Sequence, residues 1–157
     1  MPPNFAAYCA VALPEPEEGA QRRHDHAVIA TLTSCTDAQP WWLGYLETSI
    51  GAEEVVFYDA PRVTLYENWN YVLVEAGPDQ ALSWRQSEGP RAPWKGAVPD
   101  IMFPADRSWL LSTLWDDHWS GIGGSEALIA AFAHDRLLGG QTRVVGPCED
   151  AAPPRRA

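Results

Sequence analysis

The chain has 157 residues, 46% of them hydrophobic and 20% charged, with a formal charge of −10 at pH 7. That length suits one domain able to bury a core without disulfides or metal, and the composition lies outside the disordered range. The charge argues against nucleic acid: Arg22-Arg23 and Arg155-Arg156 are isolated pairs, and no basic patch overrides the acidic field made by residues such as Glu15, Glu17, Glu18, Asp116 and Asp117. A basic protein partner is physically easier.

Cys9, Cys35 and Cys148 are an odd number at wide spacing, without a CxxC pair, and read as thiols of a reducing compartment. Met1-Pro2-Pro3-Asn4-Phe5 has no basic stretch leading into an apolar one, and no run approaches the roughly 20 apolar residues of a membrane span. No membrane partner and a cytoplasmic location are expected. Ten arginines against one lysine, Lys95, together with plentiful alanine, read as GC-rich coding and carry no functional meaning.

Phe5 to Leu13 reads as a strand ended by the acidic, proline-containing segment up to Gly19. His24 to Ser34 is ambiguous: Val28, Ile29 and Leu32 fit helical spacing, but alternation with β-branched Ile29, Thr31 and Thr33 favours a strand. Trp41 to Ile50 reads as a strand entered after Pro40. Val55–Tyr58, Val63–Tyr66 and Tyr71–Glu75 form a meander of short strands, with Glu67-Asn68-Trp69-Asn70 as a hairpin loop in which asparagine accepts left-handed geometry.

Gly77-Pro78-Asp79 predicts a helix through Gln86, with proline at its first position and an acid near the positive end of its dipole. Arg91 to Ala105, with Pro93, Pro99 and Pro104 and with Pro90 just before it, reads as a loop. Trp109–Trp115 and His118–Ile122 read as strands joined by an Asp116-Asp117 turn. Gly123-Gly124-Ser125 leads into a helix with Leu128, Ile129 and Phe132 on one face, stopped near Gly139-Gly140. Thr142 to Val145 closes the set. The expectation is an α+β domain over residues 1–146, with a mainly antiparallel sheet of six to eight strands and two short helices, followed by a mobile polar tail over 147–157. No internal repeat is visible in the sequence.

Eight tryptophans are the most unusual feature. Core packing accounts for most of them, but Trp69 at a hairpin tip and Trp94 in the proline-rich segment are candidate exposed anchors, the residue type that dominates binding hot spots. With Asp116, Asp117, His118 and Trp119 they make the candidate binding set. No catalytic residue is nominated. Ser83, Ser112 and Ser125 lack a nucleophile elbow, and Cys35 lacks a local signature. On a strand His24 and His26 would share a face and could chelate, but neither an HExxH helix nor a Cys/His framework is present, so no metal and no cofactor is assigned. Gly121-Ile122-Gly123-Gly124-Ser125 has no phosphate-loop lysine and reads as a tight turn and helix cap.

The run from Phe103 through Trp109, Trp115, Asp116-Asp117-His118-Trp119 and Gly123-Gly124-Ser125 into the following helix resembles the ending of small, acidic, tryptophan-rich proteins of actinomycetes. The likeness covers about a quarter of the chain and brings no catalytic residue with it. Its general style is that of immunity proteins, which implies a non-catalytic module that engages a basic partner such as a toxin. Two other readings stand beside it. One is an aromatic-lined site for a small molecule or sugar, including an enzyme with His24, His26 or His118 as base. The other is a structural subunit of a larger assembly.

Overall fold

The structure is a computed structural model that describes residues 5–15, 17–36, 40–47, 59–65, 68–85, 98–114, 117–146, 149 and 151. The opening apolar run becomes strand β1 (Ala7–Ala12), with Cys9 and Val11 turned to a helical layer and Tyr8 and Ala10 to the opposite face. The rest follows as α1 (Ala20–Ser34), β2 (Trp41–Leu46), β3 (Arg62–Leu65), β4 (Trp69–Ala76), α2 (Pro78–Ser83), β5 (Ile101–Pro104), β6 (Leu110–Ser112), β7 (Trp119–Gly124), α3 (Glu126–His134) and β8 (Thr142–Val145). The class is α+β. Eight antiparallel strands form one sheet in the order β3-β4-β2-β5-β6-β7-β1-β8. No described helix is long and apolar enough to cross a membrane.

Four expectations are corrected. Residues 24–34 belong to a helix, which raises the number of described helices to three. His24, Asp25, Val28, Ile29, Thr31 and Leu32 are its buried face, a helical spacing that the intervening β-branched residues obscured. The threonines fit because their hydroxyls donate to the preceding turn: Thr31 to the Ala27 carbonyl at 2.9 Å, Thr33 to Ile29 at 2.7 Å and, just past the helix, Thr36 to Leu32 at 2.8 Å.

The second correction is β5, where a loop was expected. Its prolines mark the strand's limits, Pro99 preceding it and Pro104 ending it, so neither removes a donor from the strand's interior. Third, Trp69 is not in a loop: it opens β4 and pairs with Leu65, after Asn68 has made the turn at φ 76°. The fourth is Gly121–Gly124, which lies inside β7. A Cβ on Gly123 would stand 2.5 Å from Phe5 Cδ2, and one on Gly124 would stand 2.7 Å from Leu128 Cδ2, so these glycines admit Phe5 on one face and α3 on the other. Val55–Tyr58 lies outside the described residues.

The pairing pattern occurs twice. β2 lies between β4 and β5, with α2 connecting those two neighbours; β1 lies between β7 and β8, with α3 connecting them. The registers coincide residue by residue: Trp41 faces Ala76 and Leu46 faces Tyr71 in one half, as Ala7 faces Gly124 and Ala12 faces Trp119 in the other. The N-caps Gly77 and Ser125 then follow at once. β3 and β6 are the outer hairpin partners of β4 and β7, and the β5–β6 pairing joins the halves. α1 has no counterpart; it links β1 to β2 and touches both α2 and α3.

The three described helices lie on one face. Val28, Leu32, Leu43, Met102, Ile122 and Phe132 belong to the core cluster between the layers. Trp41 and Trp109 meet edge to face there, with centroids 5.0 Å apart, and the Trp109 indole N–H donates to the Thr36 hydroxyl at 2.6 Å. Leu46, Tyr71 and Ile101 form a smaller cluster on the opposite face, which is helix-free among the described residues.

Candidate functional site

β1 and β2 finish at the same end of the sheet, where β4, β5 and β7 begin, called the upper end below. Trp69 opens β4 at this end and is 36% exposed, with Leu65 beside it at 39%. Side-chain alternation and register place both on the helix-free face, together with Tyr71 and Val63. Trp119 opens β7 at the same end and on the same face, opposite Ala12. It is half-buried, as is Asp117, whereas His118 is exposed.

The two tryptophans do not make one patch. β2, β5 and β6 lie between their strands, a span of roughly 19 Å at the usual strand spacing. The β1–α1 connection reaches the same end: the Leu13 amide donates to the His118 carbonyl at 2.8 Å, and Glu15, Glu17 and Glu18 beyond it are exposed. Of the expected binding set, Trp69, Asp117, His118 and Trp119 therefore come to one end of the molecule, while Trp94 and Asp116 lie outside the described residues.

Between sheet and helices, the upper end is polar. Arg85, just past α2, ion-pairs with Asp100, just before β5, and both side chains are mostly buried. Arg85 also donates to the Val98 carbonyl at 3.0 Å, and Asp100 accepts the Leu46 amide at 2.9 Å, so the pair fastens the end of β2. The guanidinium lies over the Tyr45 ring, 5.2 Å from its centroid. Burial pushes the Tyr45 phenol well above its ordinary range; Arg85 opposes the shift and Asp100 adds to it. Thr113 and Ser120 share a hydroxyl bond of 2.7 Å nearby on the sheet. The first turns of α1 carry His24 and Asp25, both buried, with Nδ1 of His24 3.6 Å from Oδ1 of Asp25. Asp25 accepts from the Gln21 amide at 2.8 Å.

Helix formation separates His24 from His26: two residues apart on a helix is about 200° of rotation, so His24 is buried while His26 is exposed. The chelating arrangement that a strand would have offered does not form. Among the described residues no three His, Cys, Asp or Glu side chains are grouped as a metal site. Ser125 caps α3 by accepting from the Leu128 amide at 3.2 Å, and Ser83 donates to the Asp79 carbonyl at 2.8 Å, both local structural bonds. Arg85, Asp100 and Tyr45 were not singled out from the sequence, where no local pattern links them. Searches for similar proteins found no matching family model, curated protein or solved structure.

Proposed function

We propose that the chain is a non-catalytic binding protein that holds a basic protein partner against the helix-free side of its upper end, in the manner of an immunity-type inhibitor. The observation that carries this reading is the division of the tryptophans. Trp41 and Trp109 fill the core, whereas Trp69 stands exposed in a paired strand with Leu65 at its side. An indole held on a rigid sheet is a pre-organised anchor, since little of its freedom is left to lose on binding.

The partner's chemistry follows from charge. The net charge of −10 and the exposed Glu15, Glu17 and Glu18 at the same end create a field that attracts a basic surface and speeds its approach. Cytoplasmic action in an actinomycete-like bacterium is part of the same proposal. Affinity capture from such a host tests it, with the native chain and a Trp69→Ala, Trp119→Ala variant as parallel baits. A basic protein retained by the native bait, lost from the variant and released by salt supports the reading. Identical captures by the two baits, or retention indifferent to salt, would refute it.

A further inference from the structure

We infer that β8 is a self-pairing edge: two copies of the chain join antiparallel along their β8 strands about a twofold axis at Val144, continuing the sheet from one molecule into the next. β8 stands at the other end of the strand order from β3 and Leu65, and the inference does not depend on the protein-binding reading.

The first observation is where the backbone groups of β8 point. The Leu13 amide bonds the His118 carbonyl, which sets the alternation along β1: Val11 and Cys9 face β7, and Ala10 and Tyr8 face β8. Their partners on β8, Arg143 and Val145, therefore turn amide and carbonyl toward β1, and Val144 between them turns both outward. The Thr142 carbonyl points out as well, while its amide is held by the Gly139 carbonyl. β8 is last in the strand order, and among the described residues no strand pairs with its outer side.

The second observation comes from the repeat. Leu43 pairs with Met102 and Cys9 with Val144 at the same step of the two halves, counted from Trp41 and Ala7 at the heads of the central strands. Met102 has β6 on its outer side, where it pairs with Leu111, and it is fully buried. Val144 has no such neighbour and is 56% exposed, the most open large apolar side chain among the described residues. One half closes this position with an antiparallel strand, and the other leaves it open.

Charge and symmetry choose the occupant. Arg143 is offset by Glu149 at 3.8 Å, so the edge offers an apolar side chain and a neutral ion pair to a copy of itself, whereas a basic strand would bring like charge to Arg143. About an axis at Val144, each Val144 amide donates to the carbonyl of the other, and two bonds satisfy all four groups. A register one residue earlier sets Arg143 against Arg143 and calls on the Thr142 amide, which is already engaged. One residue later it calls on the Gly146 amide, which donates to Glu149 Oε2 at 2.8 Å.

Sedimentation of the full chain over a range of concentrations tests the edge. The native chain is expected to move from the mass of one chain toward two as concentration rises. Val144→Asp, a change at an exposed position, is expected to keep its melting temperature and to dimerise at least tenfold more weakly. Oxidation reads the register, in a Cys35→Ser, Cys148→Ser background. Val144→Cys should link two chains, because a hydrogen-bonded antiparallel pair stands about 5.5 Å apart at Cα, inside the roughly 4.4–6.8 Å span of a disulfide. Arg143→Cys should stay unlinked. Monomers at every concentration overturn the inference, as does a dimer that Val144→Asp leaves intact, or one in which Val144→Cys links no faster than Arg143→Cys.

Discussion

The Leu13 amide donates to the carbonyl of His118 at 2.8 Å, and the Glu47 amide meets the Asn70 carbonyl at the same distance in the other half of the sheet. Each bond carries its strand pair one step past the last residue of the central strand, so the repeat extends to the turns. It also ties the acidic β1–α1 connection to the residue before Trp119. In hydrogen exchange, the Leu13 and Glu47 amides should be comparably slow, and both slower than the amides of exposed Glu17 and Glu18. Exchange of either at the rate of the exposed loop would end the pairing at the strand itself.

Two adjacent glycines should respond oppositely to alanine. A Cβ on Gly139 would stand 2.6 Å from the Ala133 carbonyl oxygen, which belongs to α3 and cannot rotate away, whereas one on Gly140 meets nothing within 4 Å. Gly139→Ala is expected to cost about 1–3 kcal/mol in urea unfolding, the range for overpacking. Gly140→Ala should stay within about 0.5 kcal/mol.

The Arg85–Asp100 pair should matter more for what breaking it leaves behind than for its own attraction. Asp100→Ala strands a mostly buried guanidinium and the Leu46 amide, and is expected to cost about 3 kcal/mol. Asp100→Asn keeps an acceptor for Leu46 and should cost less. Chemical denaturation of Asp100→Ala, Arg85→Met and the double variant checks this: the double variant should be more stable than the two single losses add up to, and strict additivity would mean that the groups do not interact.

Alkaline pH should weaken the fold through Cys9. Burial pushes its thiol from 9.0 up to about 12. Below pH 9 both folded and unfolded chains keep the proton, and stability is undiminished. Between pH 9 and 12 the unfolded chain releases it while the folded chain does not, so stability falls as pH rises, by up to about 1.4 kcal/mol per pH unit. Cys9→Val should flatten the curve over that window, leaving the smaller decline that the raised Tyr45 phenol adds above its own ordinary range. An unchanged slope in Cys9→Val would show that another group carries the effect.

Much of the fold was legible where side chains and local geometry agree. Thr142–Val145, a β-branched run between glycines, is β8, and Ser125 with Leu128, Ile129 and Phe132 is a capped helix. α1 was misread because its inward face includes His24, Asp25 and Thr31, so polarity did not mark the buried side. The repeat was invisible because corresponding positions share pairing and not chemistry: Trp42 answers to Tyr8, Tyr45 to Val11, Ala76 to Gly124 and Gly77 to Ser125. Trp69 could be nominated as exposed from a turn signal even though it lies in a strand, because a strand's first residue beside a turn is lightly covered. Arg85 and Asp100 are fifteen residues apart in the sequence, and nothing local shows that they meet.

The anchoring role of Trp69 is tested most directly by calorimetric titration of the captured basic partner into the native chain and into Trp69→Ala, each at low and at physiological salt. The account predicts an affinity about 30-fold weaker for the variant, the scale of a hot-spot anchor, with an unchanged melting curve and with both chains binding more weakly as salt rises. Equal affinities for the native chain and the variant would contradict it.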